Sequence, residues 1–200
     1  MLSDSGRALA EAKRTARLSE LKCTLEGFLS EEKRRVILEL GCGHGHWLTS
    51  LAGLRPNELM VGVDLISRRI RLAREKQEKR GLENVLFLKA EGTEILEAWP
   101  KQNPVAQVFL LHPDPWPKKR HAKNRMTGEK FLTRIARVMG EGGEIYFRTD
   151  DPEFFSWSKD SFANHPDWRL VDLPWPHEAG SYFKDLLGVH GALTATRTMS

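Results

Sequence analysis

Asp114 lies between two prolines, in the stretch of this chain whose residue types point most directly to chemistry. An apolar run at residues 108–111 leads into it, and five basic side chains follow within a few residues: Lys118, Lys119, Arg120, Lys123 and Arg125. Because proline fixes its own φ and restricts the residue before it, Pro113 and Pro115 should hold Asp114 in a stiff, extended loop. No acidic residue interrupts the basic cluster, so we interpret it as a phosphate-binding surface. The loop predicts a site that orients a polar group beside a phosphate backbone, although charge alone does not identify the polymer.

A second candidate site is the segment from Glu39 to Gly45, where glycines recur at every second position: Gly41, Gly43 and Gly45. Glycines after a strand let the backbone turn tightly and approach a ligand closely. The spacing G-x-G-x-G differs from the G-x-G-x-x-G pattern of dinucleotide sites, and no Lys-Ser/Thr pair follows as in a nucleotide P-loop. The carboxylate of Glu39 at the start of the loop suits a cationic ligand and would repel a pyrophosphate.

Asp114 and the glycine loop must be positioned by regular secondary structure, and the sequence predicts strands and helices that alternate along the chain. Apolar patterns predict strands at 36–40, 59–64, 84–88, 107–111 and 144–149, and helices at 7–29, 45–53, 66–80, 92–98, 130–139 and 152–164. Two further strands, 168–171 and 192–197, are predicted to form a hairpin. Continuous apolar strands alternating with helices indicate an α/β protein, doubly wound around a mostly parallel seven-stranded sheet. We expect one domain over residues 1–200, with residues 1–30 as an N-terminal helical segment.

Each of the first five predicted strands ends at glycines or at an acidic residue. The glycine loop follows the first strand, and Asp64, Glu91, Asp114 and Asp150 follow the next four. In an open parallel sheet, ligands bind at the carboxyl ends of the strands. A carboxylate after the second strand, such as Asp64, is suited to accept both hydroxyls of a ribose. The sequence therefore predicts one ligand site along this rim.

Composition adds modest limits to this interpretation. The 200 residues carry a formal net charge of +4, and two cysteines, Cys23 and Cys42, give no disulfide framework and fit a reducing compartment. The N-terminus lacks the apolar core of a signal peptide, and no apolar run approaches the length of a membrane helix. We expect a cytoplasmic protein without a membrane contact, either a monomer or a homodimer.

Two motifs resemble those of known methyltransferases. The segment from Glu39 to Gly45 resembles the S-adenosylmethionine loop of class I methyltransferases. The residues D-P-W-P-K-K-R-H-x-K-x-R, beginning at Asp114, resemble the signature of the bacterial tRNA (guanine-N7)-methyltransferases, and the likeness runs from about Val36 to Asp150. The resemblance implies a Rossmann-like class I fold, S-adenosylmethionine as cofactor, tRNA as partner, and methyl transfer to N7 of a guanine in the tRNA variable loop.

The resemblance also implies roles for single residues. Glu39 and the loop Gly41–Gly45 would face the methionine part of the cofactor, Asp64 its ribose and Glu91 its adenine amino group. Asp114 would take the catalytic position beside the cofactor. Substrate-contacting positions fall on Lys118 and Asp150, with Lys119, Arg120, Lys123 and Arg125 binding tRNA phosphates. Guanine N7 has an in-plane lone pair and no proton, so catalysis would come from orientation and charge stabilisation rather than from a strong base.

The chain departs from the family pattern near its end. Where the family has T-x-F-E, the aligned residues here are Ser181-Tyr182-Phe183-Lys184. Ser181 keeps a hydroxyl, whereas Lys184 reverses the charge at a position where a carboxylate would accept hydrogen bonds from the guanine edge. Two alternatives stay open: a methyltransferase that uses another RNA or another acceptor, and a tRNA-binding relative that has lost turnover.

Other candidate groups have simpler explanations. Cys42, His44 and His46 alternate along the cofactor loop and would converge poorly on one ion, so we expect no metal. Trp116, directly after the Asp114 loop, is the tryptophan placed to stack on a base.

Overall fold

The strands form one twisted, mostly parallel sheet in the computed structural model, which describes residues 4–29, 34–177 and 191–198. The strands are β1 (Val36–Leu40), β2 (Leu59–Asp64), β3 (Val85–Lys89), β4 (Val105–Leu111), β5 (Met139–Thr149), β6 (Trp168–Val171) and β7 (Gly191–Arg197). The helices are α1 (Asp4–Leu29), α2 (His46–Leu54), α3 (Ser67–Lys79), α4 (Gly92–Ala98), α5 (Glu129–Val138) and α6 (Pro152–Ala163), with a 3-10 helix at Lys119–Asn124.

The strand order is β3-β2-β1-β4-β5-β7-β6. Neighbours from β3 to β5 run parallel, and β7 lies antiparallel between β5 and β6. β1 and β2 are buried along their whole length, because helices cover both faces of the sheet. The order reverses between β1 and β4, where a doubly wound sheet opens a crevice for ligands. The prediction of a doubly wound, mostly parallel seven-stranded sheet with two antiparallel last strands is confirmed.

Two hydrophobic clusters hold the helices on the sheet. One face packs α2 and α3 through Trp47, Leu48 and Ile70, and the other packs α1, α4, α5 and α6 against the same strands. In α1 the buried residues are Leu21, Leu25 and Leu29, one helical turn apart. Burial of a leucine side chain stabilises by about 1.5–3 kcal/mol, so this stripe holds α1 on the sheet face. Ion pairs Arg14–Glu97 and Arg17–Glu94 join α1 to α4.

The main departure from the predicted elements is at β5. The glycines that follow α5 predict a loop before a strand at 144–149, whereas the strand begins at Met139, directly after the helix. Met139 pairs with Val105, and both ladders of β4 shift register just after Val105. Gly142 adopts a positive φ of 68° inside the strand. The glycines therefore lie in an irregular part of the strand rather than in a loop.

Candidate active site

A cleft of about 620 Å³ opens at the carboxyl ends of the first four strands. Its lining includes Gly41 directly after β1, Asp64 at the end of β2, and Glu91 and Gly92 after β3. The opposite wall comes from the segment after β4, with His112, Pro113, Asp114, Trp116, Lys123 and Arg125. The structure thus brings the first glycine of the loop, three of the strand-end acids and part of the basic cluster into one concavity.

The glycine loop after β1 is built to leave room for a ligand. Gly41 and Gly43 have φ of 82° and 54°, and a Cβ on either would meet no atom within 4 Å. Gly45 differs, because a Cβ there would lie 2.8 Å from Ala73 and Phe87. The backbone N–H groups of Gly41 and Cys42 donate to the carbonyl of Val63, which ties the loop to β2. Glycine is required at 41 and 43 for backbone conformation, and at 45 also for packing.

Glu39 is an unsatisfied acid under this loop. Its side chain is 3% exposed, and Oε2 has no hydrogen-bond partner. Burial, and secondly the charge of Asp64, raise the pKa of the Glu39 carboxyl to about 8. Ionising a buried acid without a partner is costly, so the ionised form of Glu39 would be stabilised by a cationic group bound close to it.

Asp64, at the end of β2, is buried and already oriented by three donors. Oδ1 accepts from the backbone N–H of Ile66 at 2.8 Å, and Oδ2 accepts from the N–H of Gly43 at 3.1 Å. Arg69 Nη1 lies 3.4 Å from Oδ2. The sequence analysis did not assign Arg69 to the site and missed this contact. Its spacing of five residues from a strand-end acid, at the start of the next helix, was the available signal.

Glu91 follows β3 and begins α4 as its N-cap residue. Its side chain is exposed at the cleft wall, and its backbone N–H donates to Glu94 Oε2 at 3.5 Å. The adenine contact implied for Glu91 stays a prediction.

The loop around Asp114 is strained on both sides. His112 and Trp116 have φ of 51° and 45°, the two non-glycine residues with positive φ among the described residues. Each such residue costs about 1–3 kcal/mol and persists where the surroundings impose it. Asp114 itself is exposed at the cleft. The structure therefore presents this carboxylate on a rigid, high-energy turn.

Asp150 joins the site through His112. The imidazole Nδ1 of His112 lies 3.3 Å from Asp150 Oδ1, and the backbone N–H of His112 donates to the carbonyl of Arg148 at 2.8 Å. These contacts connect the ends of β4 and β5. The sequence analysis did not assign His112 to the site, and its place between the strand and Pro113 carries no signal for this contact.

Arg125 requires a correction. It was expected to bind phosphate, but its side chain is buried, with the residue 6% exposed. Nε donates to the carbonyl of Pro115 at 2.8 Å, and the guanidinium stacks 4.6 Å from the ring centre of Trp157. Its five donors and flat shape suit it to bracing the carbonyls of the Asp114 loop from inside the protein. We reassign Arg125 as the support of this loop.

The other residues of the basic cluster lie near the cleft, and phosphate binding by them stays a prediction. Lys118, Arg120 and Lys123 are exposed, and Lys119 opens the 3-10 helix. Trp116 is half-buried on the cleft wall, and its ring centre lies 5.6 Å from that of His121 in an edge-to-face arrangement. Ser181 and Lys184 lie outside the described residues.

Cys42 of the glycine loop is not in a setting that would make its thiol reactive. Cys42 is buried, and burial, with the charges of Glu39 and Asp64 next, raises the pKa of its thiol. No cluster of His, Cys, Asp and Glu suited to a metal occurs within residues 4–29, 34–177 and 191–198. No helix in those ranges is both long and apolar enough to cross a membrane.

Comparison with known proteins places this geometry in a family. A family model described as "Putative methyltransferase" matches residues 33–181. The chain belongs to this methyltransferase family. The tRNA (guanine-N(7)-)-methyltransferase of Listeria monocytogenes is 35% identical over 130 residues, which cover 65% of this chain and 60% of that protein. The protein of the same name from Caulobacter vibrioides is 29% identical over 167 residues, covering 80% of this chain and 74% of that one.

Solved methyltransferase structures share the fold. The 16S rRNA methyltransferase KamB superposes with a TM-score of 0.63 at 20% identity, covering 87% of this chain and 92% of KamB. An rRNA methylase from Streptococcus thermophilus gives a TM-score of 0.58 at 11% identity, covering 92% and 95%. The predicted class I methyltransferase fold and the resemblance to tRNA (guanine-N7)-methyltransferases are both confirmed.

Proposed function

We propose that this methyltransferase transfers a methyl group from S-adenosylmethionine to N7 of a guanine in tRNA. The observation that carries the proposal is the strand-end cleft: Gly41 of the open glycine loop, two residues after the buried, unsatisfied Glu39, lines the same space as Asp64 and as Asp114 on its strained turn. The names of the Listeria and Caulobacter relatives support the acceptor. The chain spans 60% of the length of the Listeria relative.

The residues of the cleft fit the cofactor. S-adenosylmethionine supplies an electrophilic methyl on a sulfonium, and it carries an ammonium but no phosphate. Glu39 would balance this positive charge, and ionisation of its carboxyl would accompany binding. The loop Gly41–Gly45 would lie along the methionine part, Asp64 would accept the ribose hydroxyls and Glu91 would face the adenine amino group. Asp64 already accepts three hydrogen bonds, so its carboxylate is held in place before a ligand arrives.

The acceptor chemistry needs orientation more than proton transfer. Guanine N7 offers its lone pair directly, and the ring becomes positively charged when the bond to the methyl forms. Asp114, held on its rigid turn, would orient the base or the cofactor and stabilise this charge. Asp150 would contact the substrate from the end of β5, and His112 would fix the direction of its carboxylate. Trp116 would stack on a base at the cleft wall.

The tRNA would approach along the exposed cations. Lys118, Lys119, Arg120 and Lys123 would neutralise phosphates without reading sequence. Ser181 and Lys184 would contact the substrate, with Lys184 binding phosphate where the family has an acid. We also propose that residues 1–200 act as one domain, with residues 1–30 as its N-terminal helical segment.

The test is incubation of the protein with unmodified tRNA and S-adenosylmethionine carrying a labelled methyl, followed by nucleoside analysis. The proposal predicts labelled N7-methylguanosine. A different methylated nucleoside would keep the enzyme class and refute the acceptor, and cofactor binding without any labelled RNA would refute methyl transfer to tRNA.

A further inference from the structure

A second concavity lies on the side of the sheet that α1, α4, α5 and α6 cover, apart from the strand-end cleft. It is a groove of about 600 Å³ between the last turn of α4, helix α5 and the segment before β4. Its floor is apolar, with Leu96, Val138 and Met139 among its residues, and Trp99 beneath is only 5% exposed. We call this concavity the α4–α5 groove.

The rim of the α4–α5 groove is strongly basic. Four exposed cations line it: Lys101, Lys130, Arg134 and Arg137. Within the described ranges, no carboxylate lies within 4.0 Å of any of the four, which excludes an ion pair as their purpose there. The acid on this rim, Glu97, is engaged by Arg14 of α1. The groove therefore presents positive charge that the described residues do not neutralise.

Three of these cations form a row along α5. Lys130, Arg134 and Arg137 recur at intervals of four and three residues, so they lie on one face of α5. From the first to the last is about 10 Å along the helix at 1.5 Å per residue. A linear polyanion matches such a row better than a compact ligand does, because its charges are also distributed along a line.

The same two helices connect the α4–α5 groove with the strand-end cleft. Gly92 and Thr93 at the start of α4 line the cleft, and Leu96 and Glu97 at its end line the groove. In α5 the neighbours Phe131 and Lys130 line the cleft and the groove respectively. The cleft and the groove are therefore neighbours along both helices.

We propose that the α4–α5 groove binds the phosphodiester backbone of an RNA whose target base lies in the strand-end cleft; this rests on the proposed function. The contact is to phosphate and is independent of sequence, because the apolar floor is buried and offers no ring for a base to stack on. The groove holds a part of the tRNA remote from the methylated guanine and adds affinity without taking part in the reaction.

The experiment compares two pairs of charge removals. Arg134→Gln with Arg137→Gln alters the groove, and Lys79→Gln with Arg80→Gln removes the same charge at the exposed end of α3, on the opposite face of the sheet. Binding of unmodified tRNA is measured against salt concentration for both variants and for the wild type. We expect the groove variant to bind several-fold more weakly and to lose roughly 2 units of the log–log salt slope, about one for each phosphate contact.

We expect the control pair to keep the wild-type salt dependence of binding. We expect the groove variant to have a higher KM for tRNA and an unchanged kcat. Equal slopes for groove variant and wild type would overturn the proposal and leave an acidic protein as the groove's occupant. Equal losses in both variants would also overturn it, because net charge rather than the groove would then explain binding. The binding arm stands even if no N7-methylguanosine forms, so failure of the reaction and failure of the groove are distinguishable.

Discussion

Replacing Glu39 by glutamine should remove a pH-dependent penalty on the stability of the cofactor-free protein. The Glu39 carboxyl has a pKa of about 8 in the folded protein against an ordinary value of 4.5. A group whose folded pKa is raised contributes stability that is fully present below the unfolded pKa and is lost as pH rises through the folded pKa. The full difference between these two pKa values corresponds to about 5 kcal/mol of unfolding free energy. About 2.5 kcal/mol of this stability is lost between pH 6 and pH 8.5.

The variant isolates this contribution because glutamine keeps the shape of the protonated acid and cannot ionise. Urea unfolding at pH 6 and pH 8.5, without cofactor, gives the change in unfolding free energy for each protein. The wild type should lose about 2.5 kcal/mol more than Glu39→Gln over this interval, equivalent to roughly 5–10 °C in Tm for a chain of this size. Parallel pH dependence in the two proteins would refute the assignment of Glu39 as a buried acid that is neutral at low pH.

Three further outcomes follow from the site. Affinity for S-adenosylmethionine should rise about tenfold from pH 6.5 to pH 8 as Glu39 ionises. Isothermal titration calorimetry should show no such rise for Glu39→Gln. An equal rise in both proteins would show that another group causes the pH dependence. Arg125→Met should lower the unfolding free energy by about 2–3 kcal/mol in a urea titration, because it removes a buried charge-assisted hydrogen bond to Pro115. It should also lower the rate of methyl transfer, because the Asp114 loop is held less firmly. Wild-type stability would show that Arg125 does not support the loop. Gly43→Ala should cost about 1 kcal/mol because φ is 54° there, whereas Gly45→Ala should cost more, since its Cβ would also meet Phe87; equal thermal shifts would contradict the packing role of Gly45.

The alternation of apolar strands and helices predicted most of the fold, because a parallel sheet buries its strands on both faces and leaves a clear pattern. The rim of acids followed from it, since parallel strands all end on one side. The early start of β5 was not predictable, as Gly140, Gly142 and Gly143 are typical of a loop and only the pairing of Met139 with Val105 makes them strand. The tertiary contact overrides local propensity there.

Within the site, residue type identified Asp114 and the glycine loop but not the partners that hold them. Arg125 belongs to a basic run in the sequence, and only the neighbouring rings of Trp157 and Phe154 show that it points inward. The contact between His112 and Asp150 joins residues 38 apart on adjacent strands, which no local spacing encodes. Sequence pattern thus finds groups on one rim, while packing decides which face the ligand and which support them.

The most direct test of the central claim is methyl transfer to tRNA transcripts in which guanine is replaced by 7-deazaguanine. That base has carbon and hydrogen in place of N7, so the account predicts transfer to the ordinary transcript and none to the modified one. RNA binding measured alongside confirms that both transcripts engage the protein. Transfer to the 7-deazaguanine transcript at the ordinary rate would contradict N7 of guanine as the acceptor.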